Sequence, residues 1–422
     1  MATPTSPALP PHAGALARLE ARGHWGIKRG LDNIRALLDG LGQPDRGMAV
    51  VLLAGTNGKG STGALMVHAL QAAGFRTGWT TSPHLLHPRE RLWIDGRPVT
   101  SATLESLLDE VFATEARLGL QATYFELVIA SAVLGFHRAG VDLAVVEVGM
   151  GGRWDSTNAL DPLVTVLTNV GLDHTQFLGD TREAIAREKL CTARPGRPLV
   201  LGPTLDPEWI RPLLETTPLL YPVAPPAPGP TVFGEGRLDQ LVLGLAGEHQ
   251  AENAATAREA LRLLGACGFP VPEEALARGF REARWPGRLW QVPGLEGVWM
   301  DGAHNPDGAT VLARHVRASG IRPHLVFGAM GDKDLAGIVR LLKGMEPASL
   351  TLVKGTNERY ASAEALCAAW EVDQPVLDLD ACAALLCQPA GGPRLVTGSL
   401  FLIGDLLRTL GVDPFGADPF PA

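Results

Sequence analysis

The chain has few cysteines, and they show no pairing pattern. Their number is odd, and no two of them are separated by only two residues; they are Cys191, Cys267, Cys367, Cys382 and Cys387. This pattern argues against a disulfide framework and against a cysteine zinc site, and it fits a reducing compartment. We therefore expect a cytoplasmic protein.

Long apolar runs and clustered positive charge are also missing. No apolar stretch reaches the length of roughly 20 residues that spans a membrane. The first twelve residues lack the basic start and apolar centre of a secretory signal. The formal charge is −8, from 37 basic and 45 acidic residues without a basic cluster, which argues against nucleic acid as the main partner. We expect a monomer that binds small molecules and neither membranes nor nucleic acid.

The composition is that of a globular protein, with 46% apolar and 19% charged residues. A length of 422 residues exceeds one ordinary hydrophobic core and favours two domains. Continuous apolar runs predict strands at residues 48–54, 143–148, 163–169 and 198–201. Helical spacing predicts helices at residues 27–41, 61–73, 103–118, 125–138 and 181–192. This alternation predicts an α/β fold with a mostly parallel sheet covered on both faces.

Two segments rich in helix-breaking residues suggest boundaries. The proline-rich residues 222–230 are either an interdomain linker or a surface connection inside the first domain, and we favour the connection. The breakers at residues 285–294 mark the predicted boundary, which gives domains at 1–290 and 296–422. The second domain repeats the strand and helix alternation without a glycine fingerprint after its first strand. It is predicted to be a smaller Rossmann-like α/β domain.

A glycine-rich segment containing a lysine follows the first predicted buried strand. It reads Gly55-Thr56-Asn57-Gly58-Lys59-Gly60-Ser61. Its glycines let backbone N–H groups converge on a phosphate, and the following helix directs its positive end there. An ordinary P-loop has a hydroxyl residue directly after the lysine, whereas Gly60 stands there in this chain. We predict a nucleotide-phosphate site formed by Asn57, Gly58, Lys59, Gly60 and Ser61, with another hydroxyl as magnesium ligand.

This loop resembles that of the Mur ligase superfamily, and within it the folylpolyglutamate and dihydrofolate synthases. Further segments that resemble this family follow in matching order along nearly the whole chain. They are His24-Trp25-Gly26, Thr81-Ser82-Pro83-His84-Leu85, Thr123-Tyr124-Phe125-Glu126, residues 147–158, Leu172-Asp173-His174, Arg187-Glu188-Lys189, His249-Gln250 with Asn253, Pro286-Gly287-Arg288, residues 301–306 and Thr397-Gly398-Ser399-Leu400. The resemblance implies a Mur-ligase-type P-loop domain followed by a glutamate-ligase domain.

The resemblance also implies a reaction. ATP converts a carboxylate of folate or dihydropteroate into an acyl phosphate, which the amine of L-glutamate then attacks. Such a site must neutralise clustered negative charge and align three substrates. Glu147 ends a predicted buried strand, where a carboxylate requires a cation, and the family assigns Ser82, Glu147 and His174 to Mg²⁺. The resemblance gives catalytic roles to Lys59 and to Lys189, which is carbamylated in the family.

The family pattern places the remaining ligands as well. Asn253, Arg288 and Asp301 match ATP contacts. Asp301 and His304 are expected to orient the incoming glutamate, with His304 a candidate base for its amine. The pterin side of the substrate is expected to contact Thr123, Tyr124, Phe125, Glu126, Trp154, Asp155 and Ser156.

Two features leave the substrate open. Lys28-Arg29 and Trp154 depart from the usual family pattern near the expected pterin pocket. A Mur-type cell-wall amino-acid ligase and a P-loop kinase or NTPase are the alternative functions. Within the family, the sequence does not distinguish addition of the first glutamate to dihydropteroate from extension of folate tails.

Overall fold

The computed structural model describes residues 14–23, 29–227, 231–389 and 391–416. The His24-Trp25-Gly26 segment, Ile27 and the unusual Lys28 lie outside the described residues. The helix predicted at residues 27–41 begins only at Asp32, because Gly30 has φ +121°, which is incompatible with a helix. Across the described ranges, we find no helix with both the length and the apolar character needed to cross a membrane.

The first sheet occupies the N-terminal half of the chain. Its strands are β1 (Val50–Ala54), β2 (Thr77–Thr80), β3 (Leu92–Ile94), β4 (Arg97–Pro98), β5 (Leu143–Glu147), β6 (Val164–Leu167), β7 (Pro198–Leu201) and β8 (Leu219–Pro222). They lie in the order β4-β3-β2-β5-β1-β6-β7-β8. The β2–β3 and β3–β4 pairings are antiparallel, and the other pairings are parallel. The central strand β1 therefore pairs with β5 on one side and β6 on the other.

Helices cover both faces of this sheet. They are α1 (Ala15–Glu20), α2 (Asp32–Gly40), α3 (Lys59–Ala72), α4 (Ser101–Leu118), α5 (Tyr124–Ala139), α6 (Thr175–Leu178), α7 (Arg182–Leu190), α8 (Pro207–Ile210), α9 (Gln250–Gly265) and α10 (Glu273–Glu282). Alternate residues of β1 enter different cores. Val51 and Leu53 pack with α3, α9 and α10, whereas Val50 and Leu52 pack with α2, α4 and α5. A strand buried on both faces explains the continuous apolar run in the sequence.

The second sheet belongs to the C-terminal part. Its strands are β11 (Trp290–Gln291), β12 (Val298–Asp301), β13 (His324–Phe327), β14 (Ser349–Val353), β15 (Val376–Leu377) and β16 (Arg394–Thr397), after a separate hairpin of β9 (Gly236–Leu238) and β10 (Leu241–Leu243). Its helices are α11 (Pro306–Ala318), α12 (Leu335–Lys343), α13 (Ala363–Trp370), α14 (Leu379–Cys387) and α15 (Leu400–Leu410). The order is β11-β12-β16-β13-β14-β15, parallel except for β11. Apolar clusters lie on both of its faces.

The predicted α/β class with a mostly parallel first sheet and a smaller second α/β unit is confirmed. The division into 1–290 and 296–422 stays a prediction. Trp290 is the last residue assigned to the first domain, but in the structure it pairs with Met300 of the second sheet. The second sheet therefore already includes this residue.

The fold brings several loops to one edge of the first sheet. Strands β1, β2, β5 and β6 are mutually parallel, so the segments that follow them leave at the same carboxyl edge. Strand β1 lies where the chain order reverses between its two neighbours. Ligands of open α/β sheets bind at such a crevice.

Candidate active site

A cavity of about 550 Å³ opens at this carboxyl edge and extends to the second sheet. All of the residues that the sequence analysis proposed for the site line this cavity. They are Asn57, Gly58, Lys59, Gly60, Ser61, Ser82, Thr123, Tyr124, Phe125, Glu126, Glu147, Trp154, Asp155, Ser156, His174, Lys189, Asn253, Arg288, Asp301 and His304. Residues more than 240 positions apart thus share one cavity, while their individual roles stay predictions.

The phosphate loop turns sharply between β1 and α3. Gly55 has φ +147° and Gly58 has φ +82°, backbone angles that residues other than glycine rarely adopt. Space is also lacking at both positions. A Cβ at Gly55 would lie 1.9 Å from the Thr168 hydroxyl, and one at Gly58 would lie 2.5 Å from Asn253 Oδ1. The loop is therefore enclosed by β6 and α9, and α3 begins directly at Lys59.

A tryptophan behind the loop leaves little room for a side chain at Gly60. A Cβ at this position would lie 2.5 Å from Nε1 of Trp285. The indole cannot easily move, because it packs against Trp79 with ring centroids 4.5 Å apart. This contact explains why a hydroxyl residue does not follow the lysine directly. Ser61, one position later, is buried.

Glu147 carries a buried carboxylate at the end of β5. Burial raises its pKa, although the charge of Lys59 and a hydrogen bond from the Ser82 backbone N–H oppose this shift. The Ser82 nitrogen lies 3.3 Å from Oε2, and the Lys59 ammonium lies 3.9 Å from Oε1. Lys59 itself donates to the carbonyl oxygens of Gly55 and Thr56 at 3.0 and 3.2 Å. The carboxylate is thus only partly neutralised, which suits a divalent cation.

His174 is the nitrogen donor among the predicted metal ligands. It directly precedes α6 as the N-cap residue, with φ +52°. Burial lowers its pKa to about 4, so its ring is neutral at physiological pH and keeps a lone pair for a metal. No cluster of three or more His, Cys, Asp or Glu side chains suited to a metal was found among residues 14–23, 29–227, 231–389 and 391–416. The set Ser82, Glu147 and His174 therefore stays a prediction, although its chemistry fits magnesium.

Lys189 is a buried lysine on α7, only 5% exposed. Its ammonium nitrogen lies 3.0 Å from the Gly55 carbonyl oxygen, which also accepts from Lys59. Burial, followed by the charge of Lys59, lowers its pKa to about 7. A large share of Lys189 is consequently a neutral amine near pH 7, the form that reacts with CO₂.

Asp173 joins the two halves of the molecule, a role that sequence reasoning missed. Its carboxylate accepts from Lys333 Nζ at 2.9 Å and from Asn305 Nδ2 at 3.1 Å, and lies 3.6 Å from His304 Nε2. Burial alone raises its pKa, but the neighbouring His304 side chain and the Lys333 ammonium outweigh burial and hold the pKa far below its usual range. The Asp173 junction is therefore formed by one first-domain carboxylate and three second-domain side chains.

The two catalytic candidates of the second domain have different partners. Asp301 is buried and accepts from the backbone N–H groups of Leu289 and Ala303 at 2.8 and 2.9 Å. Its carboxylate thus organises the loop after β12. His304 Nδ1 lies 2.8 Å from the Gly302 carbonyl oxygen. Because a carbonyl only accepts, Nδ1 carries the proton, and Nε2 is the atom left for other chemistry.

Two of the residues proposed to contact the pterin also cap the start of α5. Thr123 and Glu126 form a reciprocal capping box at the start of α5, with the Thr123 backbone N–H donating to Glu126 Oε2 at 2.7 Å. Tyr124 is buried beneath the Arg91 guanidinium, 5.1 Å from its ring centre. Phe125 packs so closely on Gly149 that a Cβ there would lie 2.7 Å from its ring. These partners give Thr123, Tyr124 and Glu126 structural roles in addition to any substrate contact.

The loop after β5 supplies the other pterin residues. Asp155 accepts from the Met150 backbone N–H and the Thr157 hydroxyl at 2.9 and 2.6 Å, so its buried carboxylate orders the loop. Ser156 is buried and Trp154 is 47% exposed. Trp154 therefore presents an unusually accessible aromatic surface at the cavity.

The residues predicted to contact the adenine and the phosphates of ATP also line the cavity. Asn253 donates to Gln250 Oε1 at 2.8 Å. The neighbouring His249 is half-buried, and its desolvation lowers its pKa to about 3. Arg288 donates to the Gly287 carbonyl at 3.0 Å, and burial lowers its pKa. Arg29, which the sequence placed near the expected pterin pocket, also lines the cavity. Sequence reasoning missed several further cations and aromatic rings of the lining, which are Arg91, Lys333, Arg359, Phe177 and Phe401.

Comparisons with known families agree with this geometry. Residues 53–191 match the family described as Mur ligase middle domain, and residues 287–396 match the one described as Mur ligase, glutamate ligase domain. A Bacillus subtilis protein described as dihydrofolate synthase/folylpolyglutamate synthase is 32% identical over 93% of this chain and 97% of its own length. A Haloferax volcanii relative is 34% identical over 91% of this chain. The chain spans about half the length of the first curated relatives it matches, 48% in that case.

Solved structures are similar over nearly the whole chain. An Escherichia coli structure described as FolC in complex with DHPP and ADP has a TM-score of 0.82 and 29% identity, and covers 97% of this chain and 99% of that chain. A bifunctional folylpolyglutamate synthase/dihydrofolate synthase with Mn, AMPPNP and L-glutamate bound has a TM-score of 0.79 and 29% identity. The match covers 95% of this chain and 99% of that chain.

The contact between Gly60 and Trp285 yields a direct test. We expect Gly60→Ser to weaken nucleotide binding roughly tenfold, since overpacking costs about 1–3 kcal/mol and displaces the first turn of α3. Calorimetric titration with MgADP measures this change. The control is Gly265→Ser, because a Cβ at that helical glycine would lie 3.8 Å from its nearest neighbour. Unchanged affinity in Gly60→Ser would show that the hydroxyl is accommodated.

Proposed function

Since the chain belongs to the folylpolyglutamate synthase/dihydrofolate synthase family of Mur ligases, we propose that it joins L-glutamate to a folate or to dihydropteroate with ATP. The observation that carries this proposal is the shared cavity. It combines the phosphate loop, the buried Glu147 and Lys189 of the first domain with Asp301 and His304 of the second. An NTPase that makes no amide bond has no need for such a second-domain wall.

The first step activates the acceptor. A carboxylate resists attack by an amine, because it is negatively charged and has no good leaving group. Transfer of the γ-phosphoryl group of ATP to a carboxylate oxygen removes both obstacles. Lys59 would then leave its loop carbonyls for the outer phosphates, and Arg288 would add a second positive charge.

Magnesium fits the residues on this side of the cavity. Ser82, Glu147 and His174 would hold it, since they offer a hydroxyl, a partly neutralised carboxylate and a neutral imidazole. When bound, the ion neutralises charge on the transferring phosphoryl group. A carbamylated Lys189 would add a negative group beside the same loop.

The second step forms the amide. The glutamate amine attacks the acyl carbon, phosphate leaves, and the amine loses a proton. His304 Nε2 is the proposed acceptor, because Nδ1 is already held by the Gly302 carbonyl. The Asp173 carboxylate lies 3.6 Å from the same Nε2, and its negative charge would favour the imidazolium that forms when Nε2 takes the proton. The second domain thereby brings its base to a substrate held on the first.

The proposed acceptor brings a pterin ring into the cavity. The pterin side would occupy the surface that includes Phe125 and Trp154. Dihydropteroate and a reduced folate both carry a pterin ring, so the proposal covers both acceptors. A cytoplasmic location, a monomeric state and the lack of nucleic acid or membrane partners stay predictions.

The first test follows phosphate release and the amide product. We expect release to require ATP and L-glutamate together with dihydropteroate or a reduced folate monoglutamate, and mass spectrometry to find one added glutamate. Glu147→Gln should reduce kcat about 100-fold, since it removes a charge at the phosphoryl site. The exposed control Glu208→Gln should keep full activity. ATP hydrolysis that ignores glutamate would instead favour a nucleotide switch.

The second test concerns Lys189. In ¹³C-bicarbonate, we expect a lysine carbamate signal by NMR that is strong at about pH 8 and weak at about pH 6, because the neutral amine predominates only above its pKa of about 7. Lys189→Ala should abolish the signal, and the control Lys343→Ala should retain it. A wild-type chain without this signal at any pH in the presence of nucleotide contradicts the modification.

The third test concerns the base. His304→Ala should reduce kcat about 100-fold at saturating glutamate, as expected for loss of general base catalysis. His137→Ala, at an exposed helix end, is the control. Full turnover of His304→Ala at saturating glutamate would exclude the base role and leave only a role in binding.

A further inference from the structure

The chain returns to the first domain after its last helix. Gly411 ends α15 with φ +66°, and residues 412–416, here called the C-terminal strap, then run against the first domain. Asp413 pairs with Arg89 Nη2 at 3.2 Å, and both side chains are largely buried, at 19% and 8% exposure. Arg408 adds a hydrogen bond to the Leu86 carbonyl at 3.0 Å. The strap is therefore fixed to the segment that connects Ser82 to β3.

The strap inserts an aromatic side chain among three tryptophans. Phe415 packs edge-on against Trp93 with centroids 5.2 Å apart, and lies 6.4 Å from Trp285. Trp79 completes the group, at 5.3 Å from Trp93 and 4.5 Å from Trp285. These three rings, the tryptophan cluster, come from β2, β3 and the segment before β11. Phe415 is the contribution of the second domain.

The tryptophan cluster lies directly behind the phosphate loop. A Cβ at Gly60 would lie 2.5 Å from Trp285 Nε1, and one at Gly63 would lie 2.7 Å from Trp79 Nε1. The first turn of α3 thus rests on these two indoles. A small cavity of about 20 Å³ is bordered by Gly60, Glu147, Trp285 and Phe415, among others. Phe415 therefore reaches the back of the loop and the metal side of the site.

We propose that Trp285 and Phe415 are positioning residues that hold the phosphate loop in its nucleotide-binding shape. This inference rests on the proposed use of ATP. Neither ring is among the described residues that line the large cavity, so neither touches the nucleotide site directly. Phe415 acts by confining the Trp285 indole, which in turn supports Gly60.

The physical argument is one of packing. Glycine has no side chain to anchor the first helical turn, and α3 must present its N–H groups at fixed positions to bind phosphate. The flat indole of Trp285 supplies the missing support. Without Phe415 the cluster loses one wall, and the indole gains room to move away from Gly60. The loop then samples other shapes, which lowers nucleotide affinity.

The experiment measures MgADP affinity of the full chain by calorimetry. We expect Phe415→Ala to weaken binding about fivefold, in line with the loss of one aromatic contact, and Phe415→Leu to recover part of this loss. The matched control is Phe269→Ala. Phe269 is also a half-buried phenylalanine in an edge-on pair, with Phe75 at 5.5 Å, but it lies far from the loop. Its removal should lower Tm and leave the Kd for MgADP unchanged.

Two results separate the possible failures. Equal Tm losses in Phe415→Ala and Phe269→Ala, with both Kd values within about twofold of wild type, would overturn the positioning role and leave a purely structural contact. Wild-type chain that binds MgADP but forms no glutamate amide contradicts the proposed function alone. In that case the ratio of Kd values for Phe415→Ala and wild type still decides whether the strap positions the loop.

Discussion

A buried negative charge is the constraint on which the site depends. Glu147 ends a strand inside the first sheet, where burial raises the pKa of its carboxyl group and a carboxylate requires compensation. The nearest ammonium, that of Lys59, lies 3.9 Å away and is shared with loop carbonyls. The remaining demand for positive charge suits the divalent cation that we propose to bind here together with the nucleotide. Burial in the same environment lowers the pKa of Lys189 to about 7.

The phosphate loop lies between two contacts that connect the domains. On the cavity side, the Asp173 junction binds Lys333, Asn305 and His304. On the opposite side, the C-terminal strap reaches the tryptophan cluster behind Gly60. Because both contacts include the second domain, a change in the position of that domain would reach the loop from two sides. A reaction that must exclude water from an acyl phosphate benefits from such coupling.

Much of the fold could be predicted, because long apolar runs and clear helical spacing carry strong signals. The predicted strand at residues 198–201 has the observed bounds, and the predicted helix at residues 103–118 ends where α4 ends. Short or irregular elements could not be predicted. The strand at Thr77–Thr80 contains a glycine, and β3 and β4 have only three and two residues. Their stability comes from neighbouring strands and helices rather than from local pattern.

The sequence by itself determined the chemistry available to this protein. Its motifs identified the family, the phosphate loop and the residues that line the cavity, since each local residue pattern is readable along the chain. Only the tertiary structure decided which groups meet. It assigned the Gly60 position to Trp285, joined Asp173 to Lys333, and placed Phe415 behind the loop. Such contacts join residues from 130 to 225 positions apart, and no local pattern encodes contacts of that kind.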